Sequence, residues 1–310
     1  MKVIFMGTPD FSVGALEALA EAGYEIAAVV TQPDKPKGRG KEQKMPPVKE
    51  AALRLGLPVY QPAKVREPEF IETVRKIAPD VIVVSAFGQI IPQALLEIPK
   101  YGCINIHASL LPKYRGAAPI QWAVIDGEPV SGVTIMQMDA GLDTGDMLAR
   151  TEVALDAGET GGSLFEKLSR AGAELLKETL PKLETGELTP EKQPEESPTP
   201  YARMIRKEDG LLDWRESAEV LERKIRGLNP WPSAYTVLNG RTLKIWRAEV
   251  SGETGEGEPG TVQTADKSGF RVQTGAGVLK VLEVQLEGKK RMDAAAFLRG
   301  CQVEPGTRLG

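Results

Sequence analysis

Lys2-Val3-Ile4-Phe5-Met6-Gly7-Thr8-Pro9-Asp10-Phe11 opens the chain with four consecutive apolar residues, then a glycine, a small hydroxyl residue and a proline. An unbroken apolar run of this length reads as a strand buried on both faces. Gly7 ends it, Thr8 is of the type that caps a helix, and Pro9 suits a first helical turn, where its missing N–H has no intrahelical partner to lose. A helix is expected from there to about residue 22. Working outward, residues 26–30 and 81–84 repeat the short apolar run, with a helical stretch over 67–77 between them. Residues 103–107 and 132–138 supply further strands. Strands and helices in this order predict an α/β fold with a parallel sheet, whose ligand crevice lies at the carboxyl ends of its strands.

The first domain is expected over residues 1–189. From there to residue 200 the composition changes, with Pro190, Pro194, Pro198 and Pro200 crowded among Glu, Ser and Thr, so residues 190–207 read as a linker with little helix or strand. A second domain, 208–310, begins with a helix over 217–225. Strand-like segments follow at 233–238, 242–250, 261–264, 270–274 and 278–286, the first two joined by the hairpin pair Asn239-Gly240. A small β-barrel is predicted.

Composition removes several function classes. Across 310 residues the chain is 41% hydrophobic and 26% charged, as water-soluble domains are. No apolar run approaches the roughly 20 residues needed to span a bilayer, and the first residues do not have the form of a signal peptide, so no membrane partner is expected. Cys103 and Cys301 lie far apart without metal-ligand spacing; neither a metal nor a disulfide is expected, and the setting should be cytoplasmic and reducing. A net charge of −4 argues against a chain that coats nucleic acid over its whole surface, while leaving room for a local basic patch.

The chemistry concentrates in Cys103-Ile104-Asn105-Ile106-His107-Ala108-Ser109-Leu110-Leu111-Pro112-Lys113-Tyr114-Arg115-Gly116. In a strand over 103–107, the two-residue period turns Asn105 and His107 to one face and Ile104 and Ile106 to the other. The apolar pair anchors the strand while the polar pair faces the crevice. His107 is the only histidine of the chain, so any imidazole chemistry is done there. A third polar candidate, Asp143, sits in the Gly- and Asp-rich stretch 138–146. Taken alone that stretch is a turn; following a strand of the same sheet, it is expected to bring Asp143 to the rim occupied by Asn105 and His107.

Met6-Gly7-Thr8-Pro9-Asp10-Phe11, Thr31-Gln32-Pro33-Asp34, the stretch from Asn105 to Gly116, Met136-Gln137-Met138-Asp139, residues 141–146 and Asn229-Pro230-Trp231-Pro232 together resemble the methionyl-tRNA formyltransferases over nearly the whole chain. The resemblance implies a formyltransferase-type Rossmann-like sheet with helices, followed by a C-terminal OB-like β-barrel that binds tRNA. It implies 10-formyltetrahydrofolate as formyl donor and methionyl initiator tRNA as acceptor, with Asn105, His107 and Asp143 matching the family's catalytic set. Ser109, Leu110, Leu111 and Pro112 match its folate-binding segment. The folate ring is expected beside residues 83–92, where Ser85, Gly88 and Pro92 punctuate a strand end and leave backbone groups to meet the pterin edge.

An aminoacyl ester presents an amine that is already appreciably neutral near pH 7, so no enzyme nucleophile is required and Cys103 reads as a core residue. What the reaction needs is stabilisation of a tetrahedral oxyanion and a path for protons. Asn105 and His107 are expected to donate to the oxyanion while Asp143 orients His107 and helps pass protons through a bound water. For tRNA, the stretch 34–49 carries Lys35, Lys37, Arg39, Lys41, Lys44 and Lys49 against Asp34 and Glu42, a local excess of four positive charges in what reads as a loop that orders on the acceptor arm. Residues 208–310 balance fifteen basic against fifteen acidic residues, so only a clustered face, Lys289, Lys290 and Arg291 with Arg223, Lys224 and Arg226, would serve there. A monomer is expected. The alternatives are a transferase of the same fold acting on a small amine, such as a purine ribonucleotide or an amino sugar; a nucleotide-binding oxidoreductase, which the missing G-x-G-x-x-G after the first strand disfavours; and a non-catalytic RNA-binding barrel, which leaves Asn105, His107 and Asp143 without a purpose.

Overall fold

The structure, a computed structural model, describes residues 1–37 and 42–310, the side chains of residues 36, 37, 42 and 43 excepted. It divides into two compact units, the first made of Met1–Pro119, Val130–Ala154 and Phe165–Ala202, the second of Ile120–Pro129, Leu155–Leu164 and Arg203–Gly310.

The first unit is built on β1 (Lys2–Gly7), β2 (Glu25–Val30), the short hairpin β3 (Lys35–Lys37) and β4 (Glu42–Lys44), β5 (Val59–Tyr60), β6 (Val81–Ser85), β7 (Cys103–His107), β8 (Val130–Gln137) and β9 (Met147–Ala154). Seven of these form one sheet in the order β5-β2-β1-β6-β7-β8-β9. Pairing is parallel from β5 through β7, and β6 throughout and β1 from Val3 onward are buried, as their unbroken apolar runs require. Its helices are α1 (Val13–Glu21), α2 (Pro47–Arg54), α3 (Pro68–Ile77), α4 (Gln93–Leu96) and, after α5 (Pro119–Asp126), which beyond Pro119 belongs to the second unit, α6 (Gly161–Thr185) from Phe165 onward. Phe70, Ile71 and Val74 of α3 close over Ile4, Met6, Ile82 and Val84 to make one core layer. Thr8 does not cap a helix: Pro9 stands at the N-cap of a single 3-10 turn, Asp10–Ser12, and the Thr8 hydroxyl donates instead to the Phe87 carbonyl at 2.9 Å.

The parallel reading fails at the last two strands, because β8 pairs antiparallel with β7 and β9 antiparallel with β8. The connection after His107 stays at the carboxyl end of β7, where the Leu111 N–H donates to the Thr134 hydroxyl at 3.1 Å and the Thr134 hydroxyl donates to the Ser109 carbonyl at 2.7 Å. With no crossover back to the other rim, β8 starts there and runs the opposite way.

In the second unit α7 (Ala218–Gly227) starts at Ser217, whose hydroxyl accepts from the Val220 N–H. It lays Leu221 and Ile225 on a core shared with Phe270, Val272, Val281 and Val284. Antiparallel strands β10 (Ala234–Leu238), β11 (Arg241–Ser251), β12 (Val262–Asp266), β13 (Gly269–Gln273) and β14 (Val278–Leu286) are ordered β10-β11-β14-β13-β12, and β15 (Met292–Asp293) adds to β14 before α8 (Ala294–Leu298). Asn239 and Gly240 both take positive φ in the β10–β11 turn, the conformation for which that pair is suited. Among the described residues no helix is long and apolar enough to cross a membrane.

Candidate active site

The chain leaves β1 toward β2 and β5 on one side and returns to β6 on the other, so strand order reverses beside β1 and a crevice opens at the carboxyl ends of β1 and β6. Thr8 and Gln32 close its floor, both donating to the Phe87 carbonyl, at 2.9 and 3.3 Å. One strand further along, β7 presents Asn105 and His107 on one face, as the two-residue period requires, with Ile104 and Ile106 buried on the other. Helix α6 comes close behind: a Cβ on Gly172 would lie 2.9 Å from Ile106.

His107 is buried, and its Nε2 lies 3.0 Å from the Tyr114 carbonyl oxygen. A carbonyl only accepts, so Nε2 carries a proton and Nδ1 is the nitrogen free to gain or lose one. That nitrogen lies 3.8 Å from Asp143 Oδ1, within ion-pair range and too far for a hydrogen bond. Asp143 is itself held on two sides. Its Oδ2 accepts from the Gly116 N–H at 2.9 Å, and its carbonyl accepts from Gln193 Nε2 at 2.9 Å. The Asn105 amide is half-buried and makes no hydrogen bond to protein among the described residues. The structure therefore brings all three sequence candidates together, with one unspent amide and one unspent ring nitrogen.

Asp143 does not arrive by the route expected. Because β8 is antiparallel, residues 138–146 leave the sheet at the amino end of β7, where the Met138 N–H donates to the Cys103 carbonyl at 2.8 Å. They then fold back over the sheet to His107. Nor are residues 190–202 a free linker. Glu191 and Met147 exchange backbone hydrogen bonds, the Tyr114 N–H donates to the Thr199 hydroxyl at 2.7 Å, and Ala202 donates to the Arg115 carbonyl and accepts from Ala118. This strap belongs to the first unit. Sequence reasoning missed Gln193 and Arg115; the only signal available was a lone Gln among prolines and acids.

Among the residues expected to bind folate, Gly88 is exposed with φ 85° and Pro92 half-buried, at the crevice with Ile90, which is 78% exposed. Ser85 is different: it is fully buried and its carbonyl accepts from the Ser12 hydroxyl, so it forms wall beneath the crevice and offers no surface to a ligand. Ser109 and Leu111 are also buried, the Ser109 hydroxyl donating to the Lys113 carbonyl at 2.7 Å, while Leu110 and Pro112 are half-buried. Burial pushes the Cys103 thiol up to about 12, as its reading as a core residue requires.

The chain matches the family model described as formyl transferase over residues 1–180, and that described as formyl transferase, C-terminal domain, over residues 204–302. The methionyl-tRNA formyltransferase of Agathobacter rectalis is 59% identical over 309 residues, 99% of each chain. The chain belongs to the methionyl-tRNA formyltransferase family. Among solved structures, the methionyl-tRNA formyltransferase from Clostridium thermocellum is similar with a TM-score of 0.56 at 20% identity, over 82% of this chain and 95% of that one. An N-formyltransferase from Helicobacter canadensis, in complex with folinic acid and dTDP-3-aminofucose, reaches a TM-score of 0.67 at 18% identity, over 91% of this chain and 99% of that one. At these identities the likeness is one of fold.

In this member of the methionyl-tRNA formyltransferase family the basic residues fall into two sets. Lys35 and Lys44 are exposed and directly opposite one another across the β3–β4 hairpin, a like-charged cross-strand pair. The segment expected as a loop, 34–49, thus contains the paired strands β3 and β4 and the first residues of α2 among its described residues. Arg39 and Lys41 lie outside the described residues, as does the side chain of Lys37. Lys49 is spent on Asp34, at 2.7 Å, and Gln61 donates to the same carboxylate; these hydrogen bonds hold the Asp34 carboxyl below its ordinary range. Three of the six basic residues expected to form a face in the second unit are ion-paired, Arg226 with Glu222, Lys224 with Glu216 and Arg291 with Glu283.

Proposed function

We propose that the chain transfers the formyl group of 10-formyltetrahydrofolate to the α-amine of methionyl initiator tRNA, giving formylmethionyl-tRNA for translation initiation. Identity of 59% over the full length of an enzyme of that name carries the reading, and the grouping of Asn105, His107 and Asp143 supports its chemistry. In this mechanism the α-amine attacks the formyl carbon, a C–N bond forms, and the carbonyl electron pair moves onto oxygen. The unspent Asn105 amide donates to that oxyanion. His107 receives the proton lost by the amine at Nδ1, through a water where the distance requires one, because Nε2 is committed to Tyr114. The 3.8 Å gap to Asp143 leaves the resulting Nδ1–H uncommitted to the carboxylate and available to the oxyanion, while the carboxylate stabilises the positive ring across space. Collapse breaks the bond from carbon to N10, N10 takes up the proton, and formyl amide and tetrahydrofolate leave. No acyl-enzyme forms, in keeping with a buried Cys103.

Gly88, Pro92, Leu110 and Pro112 are the members of the expected folate set with surface to offer the donor, and Lys35 and Lys44 the described basic residues for tRNA phosphates. A cytoplasmic setting goes with translation initiation, and a monomer suffices because every assigned group comes from one chain. The test is formylation with 10-formyltetrahydrofolate and either methionyl initiator or methionyl elongator tRNA. Selective formylation of the initiator is expected. A folded, folate-binding protein that formylates neither would overturn the reading and favour a small amine as acceptor.

A further inference from the structure

Asp143 sits in an exposed Gly- and Asp-rich loop, with φ at 56°, in the left-handed region that non-glycine residues adopt at some cost. The loop's own hydrogen bonds, from the Gly141 N–H and the Thr144 hydroxyl to Asp139, do not reach Asp143. What reaches its backbone is Gln193, whose Nε2 donates to the carbonyls of Asp143 at 2.9 Å and Gly145 at 2.7 Å. A primary amide suits this task because one nitrogen carries two N–H groups and no charge.

The orientation of that amide is fixed in turn. Arg115, 7% exposed, donates from Nε to Gln193 Oε1 at 3.0 Å, and its two remaining nitrogens donate to the carbonyls of Glu195 and Pro194 at 3.1 and 2.7 Å. A flipped amide would set N–H against N–H at Arg115 and oxygen against two carbonyls at the loop, so the network admits one orientation. Three consecutive residues therefore serve both partners of the pair: Tyr114 accepts from His107, Arg115 sets Gln193, and Gly116 donates to the Asp143 carboxylate.

We propose that Gln193 is a positioning residue for formyl transfer, holding the Asp143 backbone so that its carboxylate stays opposite His107. The proposal rests on the reading of His107 and Asp143 as the catalytic pair. Gln193 touches no reacting atom; it acts through Asp143, and Arg115 acts through Gln193. Its loss lets the loop move by a fraction of an ångström to an ångström, a misplacement that costs on the order of a hundredfold where catalytic groups must be aligned.

The experiment uses the full-length protein and compares steady-state kinetics of Gln193→Ala and Gln193→Met, each alone and combined with Asp143→Asn, with a thermal melt of every variant. The Met variant keeps the side-chain volume and removes only the hydrogen bonds. Expected is a fall in kcat of about ten- to a hundredfold for both single variants, with KM for the folate and for methionyl-tRNA within roughly twofold. In the Asp143→Asn background, a Gln193 substitution should change kcat by no more than roughly twofold, because the group it positions is already disabled. Unchanged kcat in the Gln193 variants, recovery of kcat by Met where Ala lost it, a loss confined to KM, or a full additional loss in the Asp143→Asn background would each overturn the proposal. Asp143→Asn alone retaining full kcat is a separate outcome: it removes the catalytic reading of Asp143, and this proposal with it.

Discussion

Removing the Asn105 amide isolates oxyanion stabilisation from folding. Strand β7 is anchored by Ile104 and Ile106, and the amide makes no hydrogen bond to protein among the described residues. Asn105→Ala breaks no internal bond and leaves no buried group unpaired, so stability should change by about 0.5 kcal/mol or less. Turnover should fall by about a hundredfold to a thousandfold, the 2.7 to 4 kcal/mol lost with one donor to a developing oxyanion. Asn105→Asp keeps the shape and turns the donor into an anion. At a separation of about 3 Å and an effective dielectric constant of about 20, it would oppose the oxyanion by roughly 5 kcal/mol, so Asp should be slower than Ala by at least about tenfold. The assay is single-turnover formylation at saturating folate, with thermal melts alongside. An Ala variant within about tenfold of the parent, an Asp variant faster than Ala, or a loss confined to KM would refute the assignment.

Gly116→Ala should fail on two counts, because φ is 125° there and a Cβ would lie 2.6 Å from the Ala202 carbonyl oxygen; a loss of about 1–3 kcal/mol in stability and of turnover is expected, read by melting and kinetics. Cys103, its thiol pushed up to about 12, should resist iodoacetamide at pH 8, where roughly one molecule in ten thousand is thiolate; rapid alkylation found by mass spectrometry would show the strand to be less buried than described. Replacing Lys35 and Lys44 with Ala should raise KM for methionyl-tRNA, leave KM for folate unchanged and flatten the salt dependence of tRNA binding by about one to two in log–log slope, whereas an unchanged slope would remove them from the tRNA contact. In the second unit, hydrogen bonds from Arg203 hold the Asp209 carboxyl at about 2. A depressed carboxyl contributes stability above its unfolded value and loses it as pH falls through the folded one. Arg203→Met should therefore be less stable than the parent at pH 7, by about 1 kcal/mol or less since Arg203 is half exposed, and the gap should narrow as pH falls toward 2; a gap constant with pH would refute the linkage.

The parts of the fold written into local pattern were legible. Strand β7 and strand β14 occur as their apolar periodicity predicts, and Asn105 and His107 share a face because two residues of strand separate them. What escaped was set by pairing over distance. Strand-helix-strand order implies parallel pairing, yet the direction of β8 depends on where residues 108–118 are tied, and those ties run to Thr134. Helix α6 went unread because Gly161 and Gly162 stand at its start and Pro181 lies inside it, all signals of irregular chain. Proline density marked 190–207 as a linker with little helix or strand, which says nothing of what the segment is tied to. Proline has no N–H to give a ladder, so pairing there is confined to bridges at Glu191 and Ala202, but the carbonyls of Pro194 and Glu195 remain good acceptors, and a buried arginine uses them.

That strap bears on how the enzyme is made. His107, Asp143 and Gln193 emerge from the ribosome in that order, and the carbonyls of Asp143 and Gly145 lack their Gln193 donor until the strap has followed. A nascent chain stopped at residue 189 contains every residue assigned to chemistry, yet its Arg115 would lack three of the acceptors it has in the finished protein. A proteolytic nick within the strap would loosen the same ties in the mature protein. Cleavage there, some fifty residues beyond the last catalytic group, should slow turnover while leaving the seven-stranded sheet intact.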